Sequence, residues 1–300
     1  MRSLSAMAAW LVDDDPRSRS QARIGLVSRA AVRLLRNRTG TIGLLIVSAM
    51  ILVALAAPLL PLADPARQVL ADRIQPPSSA HWFGTDTLGR DIFARVVFGA
   101  RPTLAIAALV LALVVPFGIL VGAAAGLYPA VDRLVMRVCD VFMAFPRLIL
   151  AIAVAAALGP GLSTAVIAIA ATGWPLYARV ARAEAIVYRR AEFLLAAEAL
   201  GASRLRLLFR HILPLCLPSA IVRAALDAAS IILITSGLGF LGASVPPPQA
   251  EWGGMVADGR DVLFDAWWIS TIPGIAILLF SFGFNLLGDA LRDVADPRSR

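Results

Sequence analysis

Apolar residues in this chain gather into blocks of about 20 separated by polar segments, and six blocks can be drawn, at 41–60, 103–127, 134–158, 162–178, 219–241 and 268–287. A helix of about 20 residues crosses a hydrocarbon core of about 30 Å. The pattern therefore predicts an all-α polytopic membrane protein with six transmembrane helices. Ahead of the first block, Ile24, Val27, Ala31 and Leu34 recur at helical spacing between arginines. That spacing predicts an amphipathic helix lying on one membrane face. The segment 61–101 is long, with early prolines and turn residues. Thr85 or Asp86 can cap a helix there, with Leu88, Ile92, Phe93, Val96 and Val97 along one face.

Charge orients these spans. Arg17, Arg19, Arg23, Arg29, Arg33, Arg36 and Arg38 precede the first block. Arg179, Arg182, Arg189, Arg190, Arg204, Arg206 and Arg210 lie between the fourth and fifth. Both segments are expected to be cytoplasmic by the positive-inside rule. Glu251, Asp258, Asp261 and Asp265 outnumber Arg260 before the sixth, as suits an outside loop. The expected organisation is a cytoplasmic tail at 1–40, a first span and long extracytoplasmic loop at 41–101, a five-helix core at 102–291 and a cytoplasmic tail at 292–300. Both termini are then cytoplasmic. About 40 mostly polar residues before an over-long first block predict a retained span, although the Ala-rich stretch 54–57 leaves cleavage open.

Composition narrows the chemistry. The 300 residues are 59% hydrophobic and 16% charged, with mean hydropathy +0.78, far from a soluble domain. All 28 basic residues are arginine. A chain without lysine has no P-loop lysine, so any ATP that drives it must bind elsewhere. The net charge of +8 follows membrane topology, and nucleic acid is not an expected partner. Cys139 and Cys216 have no disulfide or metal spacing and read as packing residues. His81, Asp86 and Asp91 match no ligand pattern and read as turn and cap.

Within the spans, Gly118, Gly122 and Gly126 recur every fourth residue, a spacing that lets two helices approach closely. Pro116 and Pro146 remove backbone hydrogen bonds and are expected to bend their helices. Asp140, Arg147, Arg223 and Asp227 are charged positions inside spans, costly unless paired or functional. Arg223 and Asp227, four apart, can pair on one helix face. These charges read as lying toward the cytoplasmic ends. Arg147 is the deepest, and with Pro146 and Asp140 it is a candidate for lining a pathway.

The loop at 179–217 has structure of its own. The stretch 191–200 is built from good helix formers and Gly201 follows where a left-handed cap is wanted. Ser203 can cap a second helix to about Ile212, and Pro214 and Pro218 lead into the fifth span. Ala196-Ala197-x-x-x-Gly201 with Ile212-Leu213-Pro214 resembles the "EAA" loop of bacterial ABC-importer permeases. Trp174-Pro175-Leu176-Tyr177-Ala178-Arg179 and Ala199-Leu200-Gly201-Ala202-Ser203 resemble the second, C-type permease of the dipeptide, oligopeptide and nickel family. So do His81-Trp82-Phe83-Gly84-Thr85-Asp86 with Leu88-Gly89-Arg90-Asp91, Leu238-Gly239-Phe240-Leu241-Gly242 with Glu251-Trp252-Gly253, and Asn285-Leu286-Leu287-Gly288-Asp289 with Leu291-Arg292-Asp293.

The resemblance implies a type I (MetI-like) permease fold and a peptide cargo, with nickel as the alternative. It implies as partners a homologous second permease, two ABC ATPases that hold the ATP and Mg, an extracytoplasmic solute-binding protein and the bilayer of a bacterial inner membrane. It places ATPase coupling at Glu192, Leu195, Ala196, Ala197, Ala199, Leu200, Gly201, Ala202, Ile212 and Pro214. Leu195 stands where the motif has its glutamate, with Glu192 and Glu198 a turn either side, so the contact is expected to be mainly apolar. The rival class, a self-sufficient secondary transporter, calls for midplane carboxylates or paired broken helices in two repeated halves.

Overall fold

The computed structural model describes residues 18–295. Arg17, the side chains of Arg19, Arg23, Ile24 and Val27, and residues 296–300 lie outside that description. Helix α1 (Arg19–Arg36) is capped by Ser18, whose side chain accepts from the Gln21 N–H. It turns at Asn37, which caps α2 (Arg38–Ala56). One face of α2 stays open, with Leu45, Leu52 and Leu55 all more than 60% exposed. In water that would be an aggregation site; facing lipid, it is the surface a span must have.

The long loop that follows folds tightly. The Asp86 carboxylate accepts from Leu88 N–H at 2.9 Å and Arg90 N–H at 3.0 Å, and its second oxygen takes Arg90 Nε at 2.6 Å. Arg90 Nη2 reaches Asp258 at 2.9 Å, and buried Arg95 lies 3.5 Å from Asp86 and 3.6 Å from Asp258. The cap expected at Thr85 or Asp86 is made by Asp91, which accepts from Ala94 N–H at 2.8 Å. Both carboxylates precede the helix, but Asp86 is consumed by its own turn and by the arginines. Leu88 thus lies before the helix, and the expected separate outer helix and second span are one 36-residue helix, α3 (Ile92–Leu127), continuous through Pro116.

The third block is broken. Helices α4 (Pro129–Met143) and α5 (Arg147–Leu158) meet at an angle of 92°. The ring of Pro146 keeps Phe145 out of the α region, so the bend becomes a break. Among the described residues, five helices are long and apolar enough to cross a membrane, or six if this bent pair counts as one span.

Helix α6 (Leu162–Tyr188) runs ten residues beyond the fourth block, so Arg179 and Arg182 sit on a helix rather than in a loop. Their charges are matched from α4: Arg182 Nη2 donates to Asp132 at 2.8 Å, and Arg179 pairs with Asp140. Two short helices follow, α7 (Glu192–Ala199) and α8 (Arg204–Leu207). A π-turn over Leu208–Ile212 then joins α8 without interruption to α9 (Leu213–Phe240). Pro214 follows the π-turn within this uninterrupted helix, so it does not separate loop from span. Helix α10 (Trp252–Asp258) packs back on α9, and α11 (Trp268–Ala295) extends eight residues past the sixth block.

The glycines show how the ends align. A Cβ on Gly253 of α10 would lie 2.1 Å from the Ser236 carbonyl near the end of α9, and one on Gly259 would meet Ser270 at the start of α11. One on Gly288, late in α11, would meet Leu226 of α9, and one on Gly40, early in α2, would meet Ala290. Thus α11 runs antiparallel to α9, and the start of α2, the end of α11 and the start of α9 point toward one end of the bundle. The network of buried Asp86, Arg90 and Arg95 with the exposed Asp258 lies at the other.

Candidate functional site

Helix α7 ends in a double hydrogen-bonded cap. Gly201 N–H donates to Glu198 O at 2.9 Å and Ala202 N–H to Ala197 O at 3.0 Å, with Gly201 at φ +86°. This satisfies the carbonyls at the helix end and needs a left-handed residue. A Cβ on Gly201 would meet nothing within 4 Å, so the demand for glycine here is conformational, not steric. The Ser203 side chain then accepts from Arg206 N–H at 3.3 Å and starts α8.

The helix pair is fixed from below. Leu194, Leu207, Leu208 and Ile212 are buried against Ile119, Ala123 and Leu127 of α3 and Ala181 and Ala185 of α6. Burying each such side chain stabilises by about 1.5–3 kcal/mol, enough to hold a short helix that would not form alone. Arg204 also lies over the Tyr128 ring, 5.8 Å from its centroid.

The upper face is open. Glu192, Leu195, Ala196, Ala199 and Gly201 are exposed, Ala197 and Ala202 are half-buried, and Leu200 is 89% exposed. Pro214 is exposed, whereas Ile212 is fully buried and anchors the loop instead of presenting a surface. The anchor Leu194 and the open Phe193, Leu205 and Phe209 were not among the expected site residues. An apolar residue in an amphipathic run is ambiguous until its helix face is known, so only the Ala-Ala and Gly positions carried a signal.

A second constellation sits in the interior. Arg147, the first residue of α5, donates from Nη1 to Asp227 Oδ1 at 2.6 Å, and Tyr177 Oη lies 3.2 Å from Asp227 Oδ2. Asp227 and Tyr177 are each 1% exposed. Thus one carboxylate ties α5, α6 and α9 together. Its partner is Arg147 rather than Arg223, the residue four positions away. Arg223 Nε is buried without a partner, as are Arg147 Nε and Nη2. Gly173 makes room for the guanidinium: a Cβ there would sit 2.5 Å from Arg147 Nη2. With Asp227 and Tyr177 each buried, the group is an interior cluster and not the snorkelling set that its position in sequence implied. Asp140 is set apart from it, in the surface pair with Arg179, while Pro146 is exposed at the break.

Between loop and ion pair runs a seam of close backbone contact. Added Cβ atoms would lie 2.5 Å from Tyr177 Cβ at Gly118, 2.1 Å from Ala178 O at Gly122 and 2.5 Å from Ala185 Cβ at Gly126. The glycine repeat presses α3 directly onto α6. Among the described residues, no group of three or more His, Cys, Asp or Glu is placed to hold a metal ion. His81 Nδ1 is 2.9 Å from Asp91, inside the turn before α3.

Residues 114–300 match the family described as "Binding-protein-dependent transport system inner membrane component", and residues 25–77 match the "N-terminal TM domain of oligopeptide transport permease C". The dipeptide transport system permease protein of Alkalihalophilus pseudofirmus is 42% identical, over 89% of this chain and 88% of its own length. The di/tripeptide transport system permease protein of Pseudomonas aeruginosa is 40% identical, over 87% and 89%. The oligopeptide transport system permease protein of Bacillus subtilis is 37% identical, over 94% and 92%. In fold, the chain is similar to a chain of the MetNI methionine ABC transporter, with TM-score 0.50 and 19% identity, over 67% of this chain and 96% of that one.

Proposed function

This chain belongs to the family of binding-protein-dependent transport system inner membrane components, and from that premise we propose that it is the C-type permease of an ATP-driven peptide importer. Peptide is the cargo that the names of its relatives in three bacteria share. The proposed assembly has a second, homologous permease, two ATPases carrying ATP and Mg, and an extracytoplasmic solute-binding protein. It sits in a bacterial inner membrane with both termini and the α7–α8 loop in the cytoplasm.

One observation carries the reading: a short helix pair with an open apolar face, locked by buried leucines to α3 and α6 and continuous with α9. A partner that pushes on Leu195, Ala196, Ala199 and Leu200 pushes on two spans at once. The glycine seam leaves no slack between α6 and α3, so the motion is passed on as rigid bodies rather than absorbed.

The pathway side of the proposal rests on the broken pair. Residues 143–146 are exposed, and lipid-exposed irregular backbone at membrane depth is strongly unfavourable. The break therefore faces protein or a water-filled path, and Pro146 and Arg147 line it there. Asp140, on the neighbouring surface of α4, lies toward the loop end of the same path.

Reconstitution tests the whole. The chain should co-purify with its ATPases, and proteoliposomes carrying the complete transporter and binding protein should take up peptide with ATP hydrolysis, inhibited by vanadate. Peptide uptake by this chain alone, driven by an ion gradient, would show a secondary transporter instead.

A further inference from the structure

At the end of the bundle opposite the α7–α8 loop, a cavity of about 770 Å³ opens between α2, α3 and the loops that follow α2 and α9. Its walls are apolar: Ile51 and Leu55 of α2, and Leu104, Ala105 and Ala108 of α3. Arg101 and Gln249 supply its polar side chains.

Three features define what fits. First, the mouth lies on the outward-facing apolar surface, since Leu55 is 70% and Ile51 37% exposed while also lining the cavity. A ligand reaching it from that side comes from the bilayer, not from water. Second, the polarity is layered by depth. Arg101 stands two residues before the apolar run of α3, and Ala108 lies seven residues, about 10 Å, farther along that helix. A cation at headgroup depth above an apolar slot at acyl-chain depth is the cross-section of a phospholipid. Third, Arg101 is exposed and makes no ion pair or hydrogen bond among the described residues. The neighbouring Arg90 and Arg95 are both spoken for by Asp86 and Asp258.

We infer that this cavity holds one acyl chain of an anionic phospholipid, with its phosphate on the guanidinium of Arg101. A guanidinium binds a phosphate through two parallel N–H···O bonds, which a neutral side chain cannot reproduce. A bound chain would also wedge between α2 and α3, filling a volume that the protein's own side chains leave open. The site is independent of the cargo and of the direction of transport.

Native mass spectrometry of the complete transporter, titrated with phosphatidylglycerol or phosphatidylcholine, tests it. Wild type should retain one phosphatidylglycerol about tenfold more tightly than phosphatidylcholine. Arg101→Gln should bring the two lipids to equal retention, and Ala105→Trp, which fills the slot, should reduce both. Melting temperatures of the variants check that the fold is kept. Equal phosphatidylglycerol retention by wild type and a folded Arg101→Gln overturns the inference. So does a cross-link from Leu55→Cys to the second permease, which would show the mouth covered by protein.

Discussion

Replacing Asp227 by Asn tests the interior of this protein most sharply. The carboxylate is 1% exposed and accepts from Arg147 Nη1 at 2.6 Å and from Tyr177 Oη at 3.2 Å. Asparagine keeps the shape and one acceptor but removes the charge. The Arg147 guanidinium then stays in the interior uncompensated, with Nε and Nη2 already unpartnered. Removing one member of a buried pair costs about 3–5 kcal/mol, whereas replacing both by apolar residues of similar volume is often neutral or stabilising. Asp227→Asn should therefore be severely destabilising, and Arg147→Met with Asp227→Leu should recover most of the loss. The assay is the melting of detergent-solubilised transporter, followed by size-exclusion chromatography. With an unfolding entropy of about 2.1 cal/mol/K per residue over 300 residues, about 3 kcal/mol corresponds to a melt lower by about 5 °C. Asp227→Asn melting within a degree of wild type would refute the reasoning, as would a double variant no more stable than the single one.

Other outcomes follow from the same geometry. Gly122→Leu should block assembly of the bundle, because even a Cβ would lie 2.1 Å from the Ala178 carbonyl; an unchanged size-exclusion profile and melt would contradict this. At Gly201, the open space and φ of +86° make the penalty one of backbone strain, about 1–2 kcal/mol for an ordinary residue. Peptide uptake should fall in Gly201→Leu and be largely kept in Gly201→Asn, since Asn tolerates the left-handed region; equal uptake by the two would remove the cap argument. Glu251 lies outside the spans, and burial, partly offset by bonds from Gly253 and Gly254 N–H, pushes its carboxyl up to about 7. A folded-state value above the ordinary carboxylate range means that the native state holds the proton more tightly. The stability linked to it is present at pH 4–5 and lost as pH rises toward 7, by at most about 3 kcal/mol. Melting temperature should decline over that window in wild type and stay flat in Glu251→Gln; identical slopes would contradict the assignment.

What the sequence made legible was what is encoded locally. Apolar blocks located the spans, and the fourfold glycine spacing marked the α3–α6 seam. The Ala-Ala-x-x-x-Gly pattern located the helix–glycine–helix turn, because a Schellman cap is specified by a few adjacent residues. What depends on partners distant in sequence was hidden. Asp227 has Arg223 four residues away, so a local pair was the natural reading, yet its partner is 80 residues upstream. Asp86 and Asp91 are equally good caps by sequence, and only Arg90, Arg95 and Asp258 settle which is free to cap α3. Pro146 announced a disturbance, and nothing local distinguished a gentle bend from a 92° break. Helix ends were read short at α6 and α11, because arginines and acids that pair across helices look, in one dimension, like the start of a loop.

The central claim is that the open face of α7 is where an ATPase bears on this chain. Cross-linking from Leu200→Cys, 89% exposed at the end of that helix, measures it directly, since the native Cys139 and Cys216 are both buried. Leu59→Cys, 86% exposed in the turn that follows α2, is the matched control. In membranes carrying the assembled transporter, Leu200→Cys should cross-link to the ATPase and change its yield when ATP is trapped with vanadate. Leu59→Cys should give no such product. An ATPase cross-link from Leu59→Cys but none from Leu200→Cys would contradict the account.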